Sequence, residues 1–213
     1  MAEEKYITAS CSLSKGIVRK NEEVLFKNEA VSAGDFLMSV YKRFGIDYPK
    51  FYKMDNLSKL GFLATEILLN GNFDRNNYTA NEVGIVFANA NASLDADLNY
   101  WQSVKNIPSP ALFVYTLPNI VIGEICIRNG FKGENAFFVW PQFDAIQMHQ
   151  YVETVMGSEK TQACIAGWVD VMGAQHDVFL YLAEKKEREN ALVHSVVQLQ
   201  KLYQLKEYGT VTG

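Results

Sequence analysis

Gln142 stands where a nucleophile could work. The run Ala136-Phe137-Phe138-Val139-Trp140 is short, apolar and aromatic, bounded by Gly133 and Pro141, and predicts a buried strand. Asp144 with Gln147 three residues on is a capping-box pattern, and 145–156 keeps helical spacing up to Gly157 at a C′ position. Gln142 therefore falls in a strand-to-helix turn near the positive end of a helix dipole. Such a turn lowers a thiol's pKa or steadies an oxyanion. A carboxamide has no lone pair basic enough to attack a thioester, so the frame is present without its reagent and covalent catalysis there is excluded.

The remaining reactive side chains read blandly. Cys11 and Cys126 lie in apolar segments and Cys164 lies mid-strand, which suits small buried hydrophobes better than nucleophiles. His149 shares a helix face with Ala145, Val152 and Met156 and is expected to be a hydrogen-bonded core or interface histidine. His176-Asp177 reads as a turn before a strand and His194 as part of a terminal helix, both solvated. No His, Cys or carboxylate spacing matches a metal site, so no metal is expected. Asn89-Ala90-Asn91-Ala92-Ser93 lacks the glycines of a phosphate cradle, so neither nucleotide nor any other cofactor is expected. The mixed charges at 184–188 read as a solvated helix face.

The elements that must position Gln142 alternate in type. Strands are predicted over 6–13, 83–88, 136–140, 163–170 and 178–183, with 17–26 continuing the first as a hairpin. Helices are predicted over 32–44, 54–70, 93–104 and 145–156. The apolar stretch 109–128 breaks at Pro118 into a loop and a helix packed on the sheet. Apolar residues at Leu192, Val196, Val197, Leu199, Leu202 and Leu205 predict a C-terminal helix over about 187–206. This order is the α/β pattern, one mixed or mostly parallel sheet with covering helices. The 213 residues, 48% hydrophobic, suit a single domain over 1–213. A net charge of −4 argues against nucleic acid. No apolar run spans a membrane, the acidic start Met1-Ala2-Glu3-Glu4 is no signal peptide, and three scattered cysteines suit a reducing cytoplasm.

Five blocks, in order, resemble the N-terminal half of a β-ketoacyl-acyl-carrier-protein synthase, a thiolase-fold condensing enzyme. Tyr52-Lys53-Met54-Asp55-Asn56-Leu57-Ser58 is similar to its Arg-Met-Asp…Ser helix opening, and Val83-Gly84-Ile85-Val86-Phe87 to its central strand. Ser109-Pro110, then Leu117-Pro118-Asn119 and Gly123-Glu124-Ile125-Cys126-Ile127, resemble its Ser-Pro…Pro-Asn…Gly-x-Ile-x-Ile segment. Lys132-Gly133-Glu134-Asn135 resembles its (Lys/Arg)-Gly-Pro-Asn turn, and Ala163-Cys164-Ile165-Ala166-Gly167 its later Gly-rich strand. The resemblance runs from about Lys5 to about Ala183.

Three things follow from the resemblance. Gln142 falls on the family's catalytic Cys, and the family's two His and its Lys belong to a second half for which 213 residues leave no room. The fold expected is therefore an incomplete thiolase fold, N-terminal half only, whose uncovered face a terminal helix or a partner masks. Ketosynthase-like proteins with Gln for Cys include chain length factors, which pair with an active ketosynthase. The resemblance implies a non-catalytic subunit that shapes the acyl pocket of such a partner, in fatty acid or polyketide synthesis, with an acyl carrier protein as a further partner. A malonyl-thioester decarboxylase and a non-catalytic homodimeric acyl-binding protein remain alternatives. The acyl-facing residues implied are Gln142, Phe143, Leu112, Phe113, Thr116 and Leu117, with Leu94, Leu98 and Trp101 as the pocket floor, for which ordinary core packing is an equal reading of Leu98 and Trp101. The dimer interface implied is Asn135, Phe137, Phe138 and Trp140 on a strand that pairs across the family's twofold, with Pro118 and Asn119.

Overall fold

Apolar residues alternate along the central strands and give one sheet two covered faces. The computed structural model describes residues 3–28, 32–105 and 107–206, so Met1 and Ala2 lie outside the described residues. Strands β1 (Tyr6–Ser14), β2 (Ile17–Lys20) and β3 (Glu23–Lys27) form an antiparallel meander. Both two-residue loops, 15–16 and 21–22, have positive φ at each position. That is the type I′ pattern, whose twist suits a hairpin. Strands β4 (Val83–Asn89), β5 (Asn135–Val139), β6 (Ala163–Met172) and β7 (Gln175–Glu184) complete the order β3-β2-β1-β7-β6-β4-β5. β4 is parallel to β5 and β6, and the other neighbours are antiparallel, so the mixed sheet expected from the sequence is the one that forms.

On one face, Ile85, Phe87, Ile165, Val169, Leu180 and Leu182 pack under α1 (Ala33–Arg43), α2 (Asn56–Leu69) and α5 (Ile120–Asn129). Helix α2 buries 10 of its 14 residues, as a helix that is apolar all round must, between the sheet and its two neighbours. On the other face the alternate residues Val86, Ala88, Cys164, Ala166, Phe179 and Tyr181 pack under α6 (Ala145–Met156) and α7 (Val196–Leu205). Each large side chain so buried contributes roughly 1.5–3 kcal/mol. The motif glycines have a steric reason. A Cβ on Gly167, at φ +145°, would sit 2.0 Å from the Phe179 carbonyl oxygen, and one on Gly133 would sit 2.3 Å from that of Val83. Short α3 (Leu94–Val104) and α4 (Pro110–Phe113) connect β4 to α5. Among the described residues no helix is long and apolar enough to cross a membrane.

Several expectations are corrected. The C-terminal helix does not begin near 187. Ser195 caps it by accepting from the Gln198 amide, and the residues before it form β8 (Leu192–Val193), paired with Tyr6 and Ile7 of β1. His194 is neither helical nor solvated but buried, 5% exposed. His176 opens β7 half-buried, stacked on Phe36 at 4.7 Å. Glu184 is fully buried at the end of β7, not on a solvated helix face, because Tyr78, Thr8 and Arg188 all donate to its carboxylate. Gly157 ends α6 in right-handed geometry at φ −65°. The stretch before α5 is partly helical, as α4. The cysteines are free, and burial pushes the Cys11 and Cys164 thiols up to about 12, which suits the inert role expected of them.

Candidate functional site

The C-terminal ends of parallel strands are where α/β sheets place their sites. Here β4 and β5 end side by side, Asn89 opposite Val139, and the Trp140 amide donates to the Asn89 carbonyl at 2.8 Å. Two turns leave from this point. After β4, the turn 89–93 is held by side chains rather than glycines. Asp170 on β6 accepts from the Ala90 and Asn91 amides, both at 3.1 Å, and Asn89 accepts from the Ala92 amide at 2.9 Å. A carboxylate thus occupies two of the backbone amides of this turn.

After β5, the turn into α6 carries Gln142, which is exposed. The strand-turn-helix frame is the one the sequence predicts. The helix end is nevertheless already neutralised. Asp144 accepts from the Ile146 amide at 2.9 Å and the Gln147 amide at 3.0 Å, and the Gln147 carboxamide donates to its other oxygen at 3.1 Å. The Gln147 bonds hold the Asp144 carboxyl below its ordinary range. Two of the first amides of α6 are therefore already paired with a fixed negative charge, which offsets the positive end of the helix dipole. Phe143 turns away from Gln142 and into the fold. It stacks on Tyr203 of α7 at 4.2 Å and meets Phe179 edge-on at 5.6 Å.

The residues expected at an acyl pocket do not close one in this chain. Leu94, Leu98 and Trp101 fall on one face of α3 at helical spacing, and that face is exposed, Trp101 at 61%. Leu112, Phe113 and Leu117 are exposed and Thr116 is half-buried. The two short helices meet where the rings of Tyr100 on α3 and Phe113 on α4 lie 5.4 Å apart. Leu112 borders an open cleft of about 380 Å³ with Met54, Asn56, Ala96 and Tyr115. Of the expected interface residues, Asn135 and Asn119 are exposed and Pro118, Phe137 and Phe138 half-buried. Trp140 is 7% exposed. β5 pairs with β4 alone among the described residues, so its other edge is open. Phe138 stacks on Tyr151 at 4.0 Å and on Trp140 at 5.5 Å.

A polar cluster on the far half of α6 was not foreseen. Glu153 takes the buried Lys5 ammonium on one oxygen at 2.6 Å and His194 Nδ1 on the other at 2.9 Å. His194 Nε2 lies 3.2 Å from the Tyr181 hydroxyl, and its ring stacks on His149 at 4.7 Å. Burial, partly opposed by the bond to Glu153, pulls the His194 pKa down to about 4. The signal available in the sequence was His149 and Glu153 at i and i+4 on one helix face. The misplacement of His194 hid the third member.

No protein-family model matches the sequence, and no curated protein matches it. Solved structures match its fold. The ishigamide ketosynthase/chain length factor aligns over 88% of this chain and 63% of its own, at 16% identity and a TM-score of 0.61. A ketosynthase in complex with its chain length factor from Xenorhabdus doucetiae aligns over 86% and 79%, at 12% identity and a TM-score of 0.56. A beta-ketoacyl synthase from Burkholderia phymatum STM815 aligns over 86% and 59%, at 11% identity and a TM-score of 0.58. The chain has the thiolase-like fold of these structures and spans less than two thirds of the length of two of them.

Proposed function

We propose that this chain is a non-catalytic subunit of chain length factor type, which pairs with an active ketosynthase and shapes its acyl pocket. The observation that carries the proposal is the turn 140–144. It has the geometry of a nucleophile-bearing turn, yet it presents a carboxamide and its helix amides are capped by Asp144. A carboxamide there offers no nucleophile for a covalent intermediate, which favours a structural use of the turn. Two further features support pairing. The open β5 edge is aromatic and uncharged, which favours strand addition over solvation, and the apolar face of α3 and α4 is exposed on a scale that suits burial by a partner. Leu112 and Leu94 then act by bulk, limiting the chain that fits.

The test is co-expression with a full-length ketosynthase that carries the Cys nucleophile and both His, read by size-exclusion chromatography and product mass. A heterodimer is expected, with a longer product when Leu112 or Leu94 is replaced by Ala. Thioester turnover or malonyl decarboxylation by a monomer of this chain alone overturns the proposal.

A further inference from the structure

We propose that His149, Glu153 and His194 form a binding site for a divalent metal ion of the zinc class, which ties α6 to the segment ahead of α7. Each residue offers one ligand atom, and these atoms all lie within 4.8 Å of one another. Metal–ligand bonds of about 2.0–2.2 Å put the ligands of a tetrahedral ion roughly 3.4 Å apart, so His149 must turn toward the other two while the Glu153–His194 pair, now bonded at 2.9 Å, opens slightly and gives up its hydrogen bond. Two imidazole nitrogens and one carboxylate oxygen are a donor set that zinc takes, with a fourth position left to water.

The surroundings suit this use. His194 is buried and fixed by its neighbours, whereas His149 and Glu153 are half-buried and leave an entry path from solvent. The Tyr181 hydroxyl at His194 Nε2 is the outer partner that steadies a ligating imidazole. It can accept from Nε2–H once Nδ1 turns its lone pair to the ion. Glu153 can bind the ion through the oxygen that now faces His194 and keep Lys5 on the other, because a carboxylate has acceptor sites on both. Lys5 opposes the ion. Its charge repels a second cation and competes for the same carboxylate, so it holds the affinity down.

The test uses the full-length chain without an affinity tag, stripped with chelator and titrated with Zn²⁺ by calorimetry and with Co²⁺ by visible absorption. One equivalent is expected, with a rise in Tm and tetrahedral d–d bands. His149→Ala leaves the Lys5–Glu153–His194–Tyr181 bonds in place and should still fold. It should weaken binding by more than the roughly 10- to 100-fold that loss of an outer-shell partner costs. Lys5→Met should tighten it. Absence of stoichiometric binding, or equal affinity in His149→Ala, overturns the proposal.

Discussion

The two halves of α6 differ in what converges on them. At its start, the hydrogen bonds of the Asp144 side chain are all made within three residues, and the turn that carries Gln142 closes on itself. Farther along, Glu153 gathers Lys5 from 148 positions away and His194 from 41. Local capping silences a helix end. Long-range convergence of ionisable groups instead creates a place whose state depends on the solution. The half that resembles an active site is thus held by local caps, and the half that reads as packing carries the ionisable cluster.

The largest expected effect tests whether the first half is left to association. Phe138→Asp should abolish pairing with the ketosynthase in size-exclusion chromatography, because an unpaired charge in a strand-paired interface costs several kcal/mol. Phe138 also stacks on Tyr151 of α6, so circular dichroism must accompany it. Val139→Asp, at an exposed position outside that stack, should dissociate the pair with the fold intact. Association that survives both changes would limit β5 to a role in the fold.

The second effect tests the other half. Between pH 6.5 and about 4 an unfolded histidine takes up a proton that folded His194 refuses. Stability of the metal-free chain should be full above pH 6.5 and fall, by on the order of 3 kcal/mol, as pH drops to about 4. Lys5 and His149 oppose protonation there and Glu153 favours it. Denaturant midpoints flat over this range would place His194 in a solvated setting. A smaller effect returns to the start of α6: Asp144→Ala should lower stability by about 1 kcal/mol, the usual worth of an N-cap, in urea unfolding. Smallest of all, Gln142→Ala should change stability by less than about 0.5 kcal/mol. Gln142→Cys should give a thiol of ordinary reactivity, since Asp144 has taken the helix amides. Rapid alkylation at pH 6 would show the dipole to be free after all.

Much of the sheet was legible because its signals are local. The apolar runs of β4, β6 and β7 and the helical spacing of α1 and α2 each lie within a few residues. The errors fall where a partner far along the chain decides. The apolar spacing of 192–205 looked like one helix because Leu192 satisfies the helical period while in fact pairing with Ile7. Ser195 followed by Gln198 was a start signal that spacing alone overrode. Glu184 looked solvated within its charged run, and Thr8 and Tyr78, 176 and 106 positions away, join the local Arg188 in accounting for its burial. The turn at Gln142 was readable, but the occupancy of its amides by Asp144 needed geometry.

The place of β1 in the sheet has a consequence for how the chain acquires its shape. β1 is the first of the described strands, yet its longest partner is β7, with Thr8 bonded to the Leu182 carbonyl 174 residues on. During synthesis the meander of β1 to β3 can close at once, but its inner edge stays unpaired until nearly the whole described chain has left the ribosome. Loop closure over that span is slow relative to the β6–β7 hairpin, which forms from neighbours. The nascent chain therefore carries an open apolar strand, Tyr6–Ser14, for most of its translation, and a holdase that shields it should raise the yield of folded protein.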